Sequence, residues 1–168
     1  MQTILVLFGG CSTEYEVSLQ SAHGVLSHLD RSRFTPLTVG ITREGRWLRY
    51  PGGLSHLETG DWQAQPDCVP CTLSLDRGDR RLLWLDGSGR SEGFDAAFPI
   101  LHGKNGEDGT VQGLLELAGI PFAGCGALSS ALCMDKARSH KLAALAGVPA
   151  PRGFVFSAGA DRGDIQAA

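Results

Sequence analysis

The chain contains no apolar run long enough to span a bilayer and no block of like charge. A formal charge of −3 with a sequence pI near 5.9 leaves no basic footprint for nucleic acid or for an anionic membrane surface. A disulfide framework is also missing. Five cysteines is an odd number, in a chain too long to need such staples: Cys11, Cys68, Cys71, Cys125 and Cys133. The one C-x-x-C, Cys68-Val69-Pro70-Cys71, has no second C-x-x-C or H-x-x-x-H to complete a zinc site. No helix pattern follows it as in a thioredoxin-like redox site. It is expected to be two small, half-buried residues beside a strand. The opening "MQTILVLFGG" lacks a basic leader and a small-residue cleavage site, so a first strand is expected there rather than a signal peptide. There is no internal repeat and no low-complexity stretch.

The remaining composition is that of an ordinary globular protein. Hydrophobic residues at 42 % supply one real core, and 168 residues suit one domain, or one domain with a piece of a second. "TILVLF", residues 3–8, is a continuous branched apolar run, the mark of a strand buried on both faces of a parallel sheet. Gly9-Gly10 ends it. Apolar residues at 17, 19, 22, 25, 26 and 29 then follow helical spacing, with Ser12 or Thr13 as candidate cap. "FTPLTVGIT", 34–42, reads as the next strand and completes a βαβ unit, for which a right-handed crossover is expected. "REGRWLRY" and "RRLLWLDGSGR" read as short antiparallel strands, separated by an aperiodic stretch, Pro51 to Pro70, that suits loop with a short helix. "FDAAFPIL", 94–101, is again a buried strand, followed by a helix to about Gly119. "IPFAG" reads as a short strand. "GALSSALCMDKARSHKLAALAG" reads as helix, stopped by Gly147 ahead of Pro149 and Pro151. "RGFVFS" is expected to be a new strand, and the last residues the start of a further helix. The pattern predicts an α/β fold: an open, mostly parallel, doubly wound sheet with an antiparallel insertion.

Two segments lie just past the carboxyl ends of buried strands, where open α/β sheets bind ligands. In "FGGCSTEYEVS", 8–18, glycines allow close approach to the backbone, and the N–H groups at a helix start favour an anion. Glu14 and Glu16 would repel a phosphate; a carboxylate there suits an ammonium, or simply complements the helix dipole. G-x-G-x-x-G is absent, which argues against a dinucleotide site. In "HGKNGEDGTVQG", 102–113, four glycines in twelve residues cost backbone entropy on folding. His102 stands at the strand end, and Glu107 and Asp108 precede a helix. These residues suit either a helix cap with turn glycines or a polar pocket wall.

"HGKNGEDGTVQG" closely resembles the first signature of the D-alanine–D-alanine ligase family. "FGGCSTEYEVSLQSA" resembles that family's amino-terminal Gly-Gly-x-Ser-x-Glu motif, and "LSSALCMDKARSHKLAALAG" the segment leading into its ATP-grasp domain. "STEYEVSLQSA" also resembles the subgroup that makes D-alanyl–D-serine in vancomycin resistance. The resemblance covers essentially the whole chain, in order. It implies a Rossmann-like pre-ATP-grasp domain over 1–125 and the start of a central ATP-grasp domain over 126–168.

By this resemblance Glu14 matches the glutamate that binds the ammonium of the first D-alanine, as a catalytic and substrate-binding residue. His102 matches a histidine near the substrate, and Lys136 a lysine that reaches ATP phosphates. Without the resemblance, Lys136 reads as a solvated helix lysine beside Asp135. The implied chemistry forms a D-alanyl acylphosphate from ATP, and the amine of a second D-amino acid then attacks it. ATP and magnesium are the implied cofactors. The implied setting is the cytoplasm, in peptidoglycan precursor synthesis, with a homodimer and no nucleic-acid or membrane partner. Family members are about twice this length. The glycine- and serine-rich phosphate loop, second phosphate lysine, oxyanion arginine and Glu/Asn pair for magnesium have no match here. The chain is therefore expected to be one wall of the site, inactive by itself; the competing reading is a non-catalytic dimerisation or binding module.

Overall fold

A computed structural model describes residues 1–156 and Gly159. The helix start expected at the very end of the chain lies outside these residues. The chain divides into two compact units, Met1–Ala131 and Leu132–Ala168.

The first unit is built on β1, Gln2–Gly9. It pairs in parallel with β2, Phe34–Ile41, on one side and β7, Ala96–Leu101, on the other. β3 (Trp47–Arg49), β4 (Val69–Leu73), β5 (Arg81–Trp84) and β6 (Ser91–Gly93) extend the sheet as antiparallel strands in the order β6-β5-β4-β3-β2-β1-β7. β1 pairs eight positions with β2 and six with β7, against three, two, three and three in the antiparallel ladders. The sheet is thus open and mostly parallel with an antiparallel insertion, as predicted.

β1 divides two cores. Leu5 and Leu7 face one cluster with Val111, Leu115 and Ile120; Val6 and Phe8 face the other with Leu19, Ala22 and Trp62. A strand's side chains alternate between faces, so a run buried at every position must have a layer on each side. α1, Tyr15–His28, covers one face, and α3, Thr110–Leu117, the other. The winding is double.

Several elements differ from the expectation. The buried stripe of α1 is Tyr15, Ser18, Leu19, Ala22 and Leu26, while Val17 is exposed. The expected face holds at Leu19, Ala22 and Leu26 and is extended toward the helix start by Tyr15 and Ser18, whose polar atoms find partners inside: the Tyr15 hydroxyl accepts from Trp62 Nε1 at 2.8 Å and Ser18 Oγ accepts from Gly9 N at 2.8 Å. Ser12 and Thr13 do not cap α1, whose first flanking residue is Glu14, without a side-chain cap. The aperiodic stretch holds α2, Ser55–Thr59, a single 3-10 turn at Trp62–Ala64, and then β4, which the sequence reading missed. Pro70 sits inside β4 and cannot donate to the ladder. Its carbonyl accepts from Leu85 N at 2.7 Å instead.

Cys71 faces one core and Cys68 packs against the other, so the C-x-x-C pair points to opposite faces of the sheet. "IPFAG" contributes one isolated bridge, Ala97 to Phe122, rather than a strand. The helical run after Gly126 is two helices, α4 (Ala127–Met134) and α5 (Lys136–Leu145). They are separated because Asp135 adopts an extended backbone and its carboxylate accepts from Arg138 N at 3.0 Å, capping α5. Residues 152–156 of "RGFVFS" form no strand; no strand among the described residues pairs with them, and an unpaired strand leaves its backbone groups unmet.

Candidate functional site

The carboxyl ends of β1 and β7 lie side by side, with Gly9 paired to Leu101. Ser18, fully buried, locks α1 onto both: its hydroxyl accepts from Gly9 N and donates to the Ile100 carbonyl. This tie brings the β1–α1 turn against the loop that follows β7. Ser12 Oγ donates to the His102 carbonyl at 2.8 Å and accepts from Glu14 N at 3.0 Å. The serine hydroxyl expected as a helix cap instead holds the two motifs together.

The loop after β7 supplies its own acceptors. Glu107 Oε2 accepts from Gly103 N at 2.8 Å. Asp108 accepts from Asn105 N at 2.8 Å and from Thr110 N at 3.1 Å. Burial alone would raise the Asp108 pKa, but the Asn105 N–H and the Thr110 hydroxyl and N–H outweigh it and hold the carboxyl below its usual value. Gln112, buried in α3, donates from Nε2 to the Gly106 carbonyl at 2.8 Å. A glycine loop whose N–H groups are met by carboxylates is not a phosphate cradle.

Glu14 and His102 are brought together at this edge. Gly103 has φ +68°, and a β-carbon built there would stand 2.3 Å from Glu14 Oε2. The exposed Glu14 carboxylate therefore lies directly over the Gly103 backbone, with the Glu107 carboxylate on the same peptide's N–H. His102 is part-buried; its Nε2 is 3.1 Å from Ser21 Oγ and its Nδ1 3.7 Å from Glu107 Oε1. Two carboxylates within one peptide of each other favour a cation. A unit charge at 4 Å gains about 1 kcal/mol in water and about 4 kcal/mol at an effective dielectric of 20. His102 also lines a cavity of about 380 Å³, floored by Gly9, Gly10, Ile41 and Leu101 and flanked by Lys104 and Thr110; Glu14 is not among its walls.

Lys136 lies in the second unit, exposed at the first position of α5. Within that unit it lines a groove of about 650 Å³ with His140, Lys141, Arg152, Phe154 and Phe156, and no acid lines it among the described residues. This donor set fits a polyanion beside an apolar ring. Among the described residues no three His, Cys, Asp or Glu side chains converge as a metal-holding cluster.

Sequence reasoning missed Ser18 and Ser21. The signal was there: serines three residues apart on the apolar side of a helix need partners inside.

Residues 3–125 match the family model described as the D-ala D-ala ligase N-terminus. The chain belongs to the D-alanine–D-alanine ligase family. A D-alanine–D-alanine ligase of Caldicellulosiruptor bescii is 48 % identical over 147 residues, 87 % of this chain and 40 % of that protein. The crystal structure of the VanG D-Ala:D-Ser ligase from Enterococcus faecalis superposes with a TM-score of 0.84 at 47 % identity, covering 90 % of this chain and 43 % of that one. The D-alanine–D-alanine ligase from Bacillus anthracis complexed with ATP gives a TM-score of 0.57 at 28 % identity over 90 % of this chain and 38 % of that one. The chain thus spans roughly two fifths of the length of these ligases. What it matches is their amino-terminal region.

Proposed function

We propose that this chain is the amino-terminal part of an ATP-dependent ligase that joins D-alanine to D-alanine or D-serine for peptidoglycan precursors in the cytoplasm. Residues 1–125 form its D-amino-acid wall and 126–168 open its ATP-grasp domain. The observation that carries the reading is the meeting of the β1–α1 turn with the loop after β7, where Ser12 Oγ holds the His102 carbonyl and the Glu14 carboxylate lies over Gly103. Glu14 takes the ammonium of the first D-alanine, with Glu107 adding negative potential. His102 stands beside the carboxylate of the same substrate. Lys136, in a groove shared with Lys141 and Arg152, meets phosphate oxygens.

ATP, when bound, supplies the phosphoryl group that activates the substrate carboxylate. The part played by residues 1–168 is positioning: an ammonium fixed at Glu14 leaves the carboxylate one Cα away in a set direction. Positioning of both reactants together can lower a barrier by about 7–11 kcal/mol. One wall cannot hold both, so the chain by itself binds without turnover. In the whole ligase this domain also forms the contact of a homodimer.

Two measurements test this. D-alanine titrated into ¹⁵N-labelled chain is expected to shift the amides of Glu14, His102 and Gly103, and L-alanine to shift them less. Equal response to both enantiomers, or none near Gly103, refutes the site. With ATP, magnesium and D-alanine, no dipeptide is expected; dipeptide lost on Glu14→Gln would show that the chain holds a complete site.

A further inference from the structure

His102 is held from two sides by groups of different character. Ser21 Oγ, from the middle of α1, lies 3.1 Å from Nε2. Glu107 Oε1, from the loop, lies 3.7 Å from Nδ1, too far for a hydrogen bond and close enough for its charge to act. A serine hydroxyl both donates and accepts, so it meets Nε2 in either protonation state. A carboxylate only accepts, and it favours a proton on the nitrogen that faces it. For a neutral imidazole the carboxylate makes the choice, a proton on Nδ1, and the Ser21 hydroxyl then donates to the Nε2 lone pair. Among the described residues the Ser21 hydroxyl makes no hydrogen bond other than this one.

We propose that Ser21 is a positioning residue that, with Glu107, holds neutral His102 as the Nδ1–H tautomer, so that the nitrogen not bound to α1 is a donor. This rests on the reading of His102 as a wall of the D-amino-acid site and adds what it presents there. A donor at Nδ1 meets a carboxylate oxygen or the phosphoryl-bearing oxygen formed from it. The opposite tautomer would present a lone pair to the same anion and repel it. The nearby Glu14 carboxylate and the exposed Lys104 do not touch either ring nitrogen in the hydrogen-bond pattern. Ser21 thus acts through His102 rather than on the substrate.

The test is a long-range ¹H–¹⁵N correlation spectrum of histidine-labelled protein without ligand, at a pH where imidazoles are neutral. His102→Gln identifies the His102 signals among the five histidines. The expected wild-type pattern is a pyrrole-type Nδ1 and a pyridine-type Nε2. Glu107→Gln, which removes the charge facing Nδ1, should move both nitrogens toward the Nε2–H pattern that histidine prefers in water; Ser21→Ala should keep the proton on Nδ1 and shift the Nε2 resonance through loss of its hydrogen bond, and Ser21→Thr, which keeps the hydroxyl, should restore it. A wild-type Nε2–H pattern overturns the proposal whether or not any variant folds, as does a Ser21→Ala spectrum identical to wild type. No amino acid is present, so this outcome is independent of the D-alanine titration, on which the ligase reading stands or falls separately.

Discussion

Replacing Gly103 with alanine separates what the loop needs from what the ligand needs. Gly103 has φ +68°, where an L-residue costs roughly 1–2 kcal/mol. The new β-carbon would stand 3.5 Å from Ser12 Cβ, an ordinary contact, and 2.3 Å from Glu14 Oε2, which cannot persist. Glu14 is exposed, so its carboxylate swings away at little cost. The expected loss of stability is therefore about 1–2 kcal/mol, set by the backbone. On the proposed reading, the carboxylate that would take the substrate ammonium is displaced, and loss of a charged hydrogen bond of about 1.5–3 kcal/mol is expected, roughly ten- to a hundred-fold in D-alanine affinity.

Gly106→Ala is the control. Its φ is ordinary, but its β-carbon would meet Leu101 Cβ at 2.6 Å, the Leu101 carbonyl carbon at 2.9 Å and His102 N at 3.1 Å. Backbone cannot step aside, and overpacking of this kind costs about 1–3 kcal/mol or more. Urea melts followed by circular dichroism give the stabilities, and amide shifts on D-alanine titration give the affinity. In the Glu14→Ala background, Gly103→Ala should keep its stability cost and lose its effect on D-alanine. A stability cost that disappears there would refute the backbone argument. Unchanged D-alanine affinity in the single variant would refute the placement of the ammonium.

Ser18→Ala removes a buried hydroxyl that accepts from the Gly9 N–H and donates to the Ile100 carbonyl; a loss of about 0.5–1.5 kcal/mol is expected in the same melts, and a neutral result would mean that α1 is not tied through Ser18. Asp108 has a depressed folded pKa, so its contribution is present above the ordinary carboxylate value and is lost as pH falls below about 4 through the lower folded one. Stability measured down this range should fall less steeply in Asp108→Asn, and an equal slope would contradict the shift. Burial pushes the Cys71 thiol up to about 12 and also raises Cys68, whereas Cys125 and Cys133 are exposed. Maleimide labelling of native protein should therefore modify Cys125 and Cys133 first and Cys71 last, with no Cys68–Cys71 disulfide on mild oxidation; early Cys71 labelling would show that the antiparallel extension is not packed as described.

By itself the sequence determined the parts whose signal is local and redundant. "TILVLF" becomes a strand buried at Leu5 to Phe8, so successive residues report the same element; "FDAAFPIL" becomes β7 only from Ala96, with Asp95 exposed, and stands last in the strand order rather than centrally. The motifs around Glu14, His102 and Lys136 stood out only through their resemblance to a family's signatures; residue type and spacing alone suited a helix cap, a dipole-complementing acid and a solvated lysine equally well.

Tertiary structure decided whatever depends on a partner distant in sequence. β4 forms because β3 and β5 flank it, although Pro70 argues against a strand. "RGFVFS", with strand-like composition, has no strand beside it among the described residues and forms none. The face of α1 was set by Trp62 and by the ends of β1 and β7, which make Tyr15 and Ser18 interior residues and leave Val17 outside. Ser12, Ser21 and Glu107 found their partners at Gly103 and His102 only when the fold placed them there. A hydroxyl or carboxylate in a sequence has a charge and a reach, but its partner is chosen by the packing that brings two chain segments ninety residues apart to one sheet edge.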